Sequence, residues 1–111
     1  MKQGEIWLVS YLDGVGHEYQ KNRPALIIVS DKQINKTNVY TVIPLTSKSN
    51  KKVDDDILVN KDDNNNLFCD SLLKTHHIQS FDKSRFIKII GNVDDKILNK
   101  VKSYLKIHFN L

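Results

Sequence analysis

Two apolar runs near the start of the chain fix the pattern that the rest follows. Glu5-Ile6-Trp7-Leu8-Val9-Ser10-Tyr11 is bulky and β-rich and predicts a first strand. Pro24-Ala25-Leu26-Ile27-Ile28-Val29 is nearly unbroken, too short for a typical helix, and predicts a central strand buried on both faces. Pro24 fits at its first residue, where a ladder donor can be spared. Asp13-Gly14-Val15-Gly16 ends the first strand, because glycine allows the positive φ values that turns require. The loop so opened carries His17, Glu18, Tyr19, Gln20 and Arg23. A polar, glycine-hinged loop between two apolar strands is where a small β domain can hold functional side chains on a rigid base.

Further along, Ser30-Asp31 opens a polar turn or short helical piece through Asn38. Val39 to Thr46 predicts a third strand, with Pro44 marking an edge or bulge near its end. Ser47 to Lys52 reads as a loop, Asp56 to Val59 as a short strand, and Asn60 to Asn66 as a polar turn. Asp62-Asp63-Asn64 lacks the glycine and the distal glutamate of a calcium loop, which favours a solvated turn. Leu67-Phe68-Cys69 and Leu72-Leu73 frame another strand that Lys74 to Gln79 continues. Phe81 to Arg85 predicts a tight turn, and Phe86 to Ile90 a strand ended by Gly91. From Asp94 the period changes: Ile97, Leu98, Val101, Tyr104, Leu105 and His108 fall at helical spacing, with Asp94 as N-cap. Lys96, Lys100, Lys102 and Lys106 form the outer face of that helix. The pattern predicts a single domain over residues 1–111, mostly antiparallel β, a small barrel or twisted sheet closed by a C-terminal helix.

Composition narrows the partners rather than the fold. A chain of 111 residues supports one modest core, and its 40% hydrophobic and 27% charged content is that of an ordinary globular protein. The single cysteine, Cys69, excludes a disulfide within a monomer and a cysteine-based metal cage. Without a signal pattern or an apolar run of membrane length, the chain is expected in the cytoplasm, away from membranes. The net charge of +4 admits an acidic partner, either nucleic acid or an acidic protein, without choosing between them.

Three separated stretches carry a family resemblance. Gly4-Glu5-Ile6-Trp7 with Gly16-His17-Glu18, Gln20 and Arg23-Pro24-Ala25 resembles the MazF/PemK-type toxins, the endoribonuclease half of type II toxin–antitoxin pairs. Pro44-Leu45-Thr46-Ser47 stands at that family's spacing from Arg23-Pro24. Asp70-Ser71, then Ile78-Gln79-Ser80-Phe81-Asp82-Lys83 and Arg85, resembles a later segment of the same family. The resemblance implies an SH3-like barrel, a homodimer, and metal-independent cleavage of single-stranded RNA, here mRNA, at short sequences without a cofactor. It also implies a cognate antitoxin whose tail covers the RNA groove, with DNA reached only through the antitoxin complex. This chain departs from the family at Tyr19 and Gln79, and Lys74 and His76 stand where the plasmid-maintenance branch has Arg-x-Asp.

Such cleavage uses the neighbouring 2′-hydroxyl as nucleophile, so the enzyme must move two protons and stabilise a crowded, more negative phosphorus. Arg23 suits the last task, being always charged, planar and able to grip two phosphate oxygens. Thr46 and Ser47 offer hydroxyls for a non-bridging oxygen or the nucleophile, and His17 and His76 are candidates for proton transfer, with His77 beside them. Glu18, Tyr19, Gln20, Lys48, Lys74 and Gln79 complete the site as candidate substrate contacts. Each has a plainer role open to it: Arg23 bracing the loop against Glu18, Thr46-Ser47 as a strand end, the lysines as a solvated loop. His76-His77 without a carboxylate or cysteine at ligand spacing makes a poor metal site, so no metal is expected. Trp7, Tyr11 and Phe68 are expected in the core, and Tyr19 and Tyr40 at the surface as stacking candidates. Two rival functions remain: a non-enzymatic toxin of the same barrel class acting on a protein, and an SH3-like module that binds RNA or peptide.

Overall fold

The computed structural model describes residues 1–11, 21–47, 53 and 55–111. It contains strands β1 (Glu5–Ser10), β2 (Asn22–Ile27), β3 (Val39–Ser47), β4 (Ile57–Val59), β5 (Ser71–Leu73), β6 (Gln79–Asp82) and β7 (Phe86–Asn92). Helix α1 (Asp31–Ile34) follows β2, and α2 (Asp95–Phe109) closes the chain. The strands pair antiparallel in the order β4-β5-β3-β2-β1-β7, with β6 also on β3. A mostly antiparallel sheet with a C-terminal helix is what the residue pattern predicts.

The unbroken apolar run in β2 is explained by its two coverings. Leu26 points into a cluster with Ile6, Ile43, Leu45, Leu73 and Val101, against which Ile97, Leu98 and Leu105 of α2 pack. Ala25 and Ile27 point the other way, into a cluster with Val9, Tyr11, Ile34, Tyr40 and Val42. Alternate residues of a strand face opposite ways, so a strand walled on both faces has no polar positions to spare. Asp94 caps α2 by accepting the Ile97 amide at 2.8 Å, and Asn110 in the left-handed region (φ 56°) ends it.

Pro44 lies inside β3, where the strand changes neighbour. Residues 39–42 pair with β6 and residues 45–47 with β5. Proline has no N–H for a ladder, and its carbonyl accepts the Lys74 amide at 3.0 Å instead. Several expectations need correction. The strand expected from Leu67 to Gln79 is confined to β5, because Lys74 to His77 forms a turn closed by His77 N–H to Lys74 C=O at 2.8 Å. Gly91 does not end β7 but lies within it: an added Cβ would come 2.4 Å from the Asn64 carbonyl oxygen, so only glycine lets that backbone approach. Tyr40 is buried edge-to-face against Phe86, and Phe68, expected inside, is 98% exposed. Lys96, Lys100, Lys102 and Lys106 are all exposed on α2, as the pattern predicts, and the first two also line a cleft of about 570 Å³ beside β4. Among the described residues, no helix is long and apolar enough to cross a membrane.

Candidate active site

Arg23 is the second residue of β2, opposite Val9 of β1, with its Nε buried. Ala25 lies opposite Pro44 and Ile27 opposite Val42. The paired register of β2 and β3 ends at Ala25 and Pro44; Arg23 stands two residues before that pair on β2 and Thr46 two residues after it on β3, where Thr46 pairs with Leu72 of β5. A guanidinium and a hydroxyl near the ends of adjacent strands are donor types suited to an oxyanion.

Ser47 is separated from Thr46 by the pleat and faces the other side. Its Oγ receives the Cys69 thiol at 3.5 Å, and it stands opposite Ser71, whose hydroxyl donates to the Cys69 carbonyl at 2.9 Å. The register joins Thr46 to Leu72 and Ser47 to Ser71 of β5, and the Cys69 contact ties Ser47 to the segment before that strand. Gln79, the first residue of β6, is exposed opposite Val42. His17, Glu18, Tyr19, Gln20 and Lys48 lie outside the described residues.

Lys74 and the two histidines sit on the turn after β5 and point to different partners. The Lys74 ammonium meets Asp56 Oδ2 at 2.5 Å, and the Asp56 side chain is fully buried. Asp56 also accepts the Val53 amide at 3.1 Å. His76 turns towards α2: its Nε2 is 3.5 Å from Asp55 Oδ2, and its Nδ1 is 3.3 Å from the Tyr104 hydroxyl. That hydroxyl is in turn 3.0 Å from Nδ1 of His108. His77 stands beside the Lys74–Asp56 pair, and its pKa lies below the ordinary histidine value. Desolvation is the main cause, the Lys74 ammonium adds to it and Asp56 opposes it. A neutral imidazole is the form that can accept a proton.

Asp56, Asp55 and Tyr104 are site neighbours that the sequence pattern did not single out. Asp56, expected as the first residue of a short strand, stands just before β4 at the end of an aspartate run, and only its burial marks it out. Tyr104 falls on the apolar period of α2, which hides its hydroxyl contact with His76.

Comparison with known proteins assigns the fold to a family. The family model described as PemK-like, MazF-like toxin of type II toxin–antitoxin system matches residues 2–109. The chain belongs to that family. It is 31% identical over 117 residues to Endoribonuclease MazF9 of Mycobacterium tuberculosis, covering 100% of this chain and 98% of the relative. MazF of Deinococcus radiodurans superposes with a TM-score of 0.82 at 20% identity, covering 100% of this chain and 97% of that one. An endoribonuclease from a mycobacterial species, solved in complex with its cognate antitoxin, superposes with a TM-score of 0.77 at 15% identity, covering 100% and 96%. These two structures share the toxin's fold.

Two outcomes follow for the toxin's turn after β5. Lys74→Ala leaves the Asp56 carboxylate buried without its cation and is expected to cost about 3–5 kcal/mol of stability, read by thermal unfolding. The double variant Lys74→Met, Asp56→Leu should recover most of that loss, and a Lys74→Ala protein as stable as wild type would contradict the pairing. For His77, a folded-state pKa below its unfolded value means that the unfolded chain binds more protons between the two. Stability should therefore rise with pH across the window below 6.5 and be lost as pH falls through it. His77→Gln should flatten that part of a melting-temperature profile.

Proposed function

We propose that this toxin is a sequence-selective, metal-independent endoribonuclease that cleaves single-stranded mRNA in the cytoplasm as a homodimer. A cognate antitoxin neutralises it, and DNA is met only through the antitoxin complex. The reading is supported by Arg23 and Thr46 each standing two residues beyond the last pair of the adjacent strands β2 and β3, in a chain of the toxin family. Names of relatives as endoribonucleases, and a similar fold bound to an antitoxin, support it. Half-exposed Ile87 and Ile89 on end strand β7, with exposed Ile107, Phe109 and Leu111 at the end of α2, are apolar surface of the kind a second subunit covers.

In the proposed reaction the 2′-oxygen loses its proton and attacks the adjacent phosphorus. The bond from phosphorus to the 5′-oxygen breaks, and that oxygen takes up a proton. The products are a 2′,3′-cyclic phosphate and a 5′-hydroxyl. Arg23 balances the charge that grows on the non-bridging oxygens, and the Thr46 hydroxyl donates to one of them. Ser47 borders the site on the side of Cys69. Proton transfer falls to the histidines: His17 in the loop before β2, and His76 and His77 on the turn after β5. Glu18, Tyr19, Gln20, Lys48 and Gln79 are the proposed RNA contacts, and Lys74 acts from its pair with Asp56.

Protein treated with EDTA should cut RNA to fragments ending in a cyclic phosphate, and RNA with one 2′-deoxy sugar at the cut site should resist completely. Arg23→Ala should lower cleavage on the order of 10²–10³-fold with its melting temperature retained. Cutting at the deoxy position, or an Arg23→Ala protein of normal activity, would contradict the mechanism.

A further inference from the structure

A cleft of about 860 Å³ opens between β1, the turn after α1 and the start of β7. Trp7, Tyr40 and Phe86 form its aromatic wall, and Lys36 and Lys83 stand exposed on its lining. The wall is held in place. Trp7 Nε1 donates to Glu5 Oε1 at 3.1 Å, and the Tyr40 and Phe86 rings meet edge to face with centroids 5.4 Å apart. The Lys83 amide donates to the Asn38 carbonyl at 2.7 Å, which ties the turn before β7 to the segment that carries Lys36. Among the described residues that line the cleft, no side chain is acidic. Carboxylates nearby in the chain are engaged elsewhere. Glu5 also accepts the Lys2 amide at 2.8 Å, and Asp82 accepts the Ser84 amide at 2.8 Å.

Strand pairing relates this cleft to Arg23. Phe86 of β7 stands opposite Val9 of β1, and Val9 stands opposite Arg23 of β2. Directly opposed residues of antiparallel strands share a face, so Phe86, Val9 and Arg23 form one row across three strands. With strands about 4.8 Å apart, the backbones at the two ends of that row are about 10 Å from each other. Trp7, two residues before Val9, lies on the same face and packs against the same cluster. An aromatic wall with cations and no opposing carboxylate matches a flat ring joined to a fixed negative charge. Every nucleotide has both, and a nucleotide chain is what Arg23 meets in the reaction proposed above.

We propose that this cleft is a subsite for a nucleotide flanking the cut, with its base against the Trp7, Tyr40 and Phe86 wall and its phosphate held by Lys36 and Lys83. The inference rests on the nuclease reading and extends the RNA contact beyond Arg23 and Thr46. Affinity then depends on RNA length. It depends on salt as well, because each phosphate neutralised by lysine releases condensed counterions.

The test uses the full-length protein and single-stranded oligonucleotides made uncleavable by a 2′-deoxy sugar at the cut site. One is only as long as the sequence cut, and the others are extended at the 5′ or the 3′ side. Wild type should bind one of the extended oligonucleotides about ten-fold tighter than the short one. The extended RNA should also change the emission of Trp7, the single tryptophan, more than the short one does. The double variant Lys36→Gln, Lys83→Gln should lose that gain, with a salt dependence shallower by about one counterion. Its melting temperature should not move, since both side chains are exposed. Lys102→Gln, Lys106→Gln removes the same charge from the exposed face of α2 and should keep the gain. No gain from extension, an equal Trp7 response to both lengths, or an equal loss in the α2 variant overturns the inference. So does a Lys36→Gln, Lys83→Gln protein that keeps the gain but escapes the antitoxin, which would assign the cleft to a protein partner. Failure of wild type to cut RNA of any length overturns the nuclease reading and this inference together; cutting without a gain from length overturns this inference alone.

Discussion

Burial of β2 on both faces is the constraint on which the site depends. With β1 on one edge, β3 on the other and an apolar cluster above and below, the strand cannot slide by one residue without driving Leu26 out of one cluster and Ala25 and Ile27 out of the other. That lock extends to Arg23, a costly residue to hold in a sheet. Its place two residues before Ala25 follows from where the apolar side chains must go. In the proposed reaction a cation fixed in this way would need little reorganisation as charge develops on a phosphate, and such preorganised groups are the ones that lower barriers most.

The turn after β5 solves a different problem. Asp56 is fully buried just before β4, and Lys74 neutralises it from just after the paired strand β5. A charge engaged in this way belongs to the fold first, which is why a lysine can occupy this position without presenting a fork to RNA. The turn also separates neighbours that a strand would have alternated. His76 is drawn to Asp55 and the Tyr104 hydroxyl on α2, whereas His77 stays by the ion pair. Family resemblance thus points to His76, whereas burial and the Lys74 ammonium lower the pKa of His77.

Most of the sheet and the closing helix were legible because their signals are periodic. The two-sided run at Pro24 to Val29 and the Asp94 cap with its helical stripe each state a burial pattern directly. What was misread lacks such a period. Leu67, Leu72 and Leu73 are all buried, yet Asp70 and the Asn65 hydrogen bonds break the chain between them, so apolar residues at strand-like spacing do not make one strand. Phe68 was expected inside because its neighbours are apolar, and only the tethering of the loop turns it out. Of the site, Arg23 with Thr46 is drawn from spacing and family resemblance and enters the proposed mechanism on that ground. The opposite facing of Thr46 and Ser47 follows from the pleat, whereas the Asp56 partner of Lys74 depends on a contact between residues 18 apart that no local pattern encodes.

The central claim is that Arg23 and Thr46 act on one phosphate rather than independently. A double-mutant cycle on kcat/KM for a short RNA, using Arg23→Ala, Thr46→Val and the pair together, measures this directly. If the two groups share an oxyanion, the double variant should be scarcely worse than the poorer single variant. Losses that simply multiply would place the guanidinium and the hydroxyl at separate tasks and contradict the shared site.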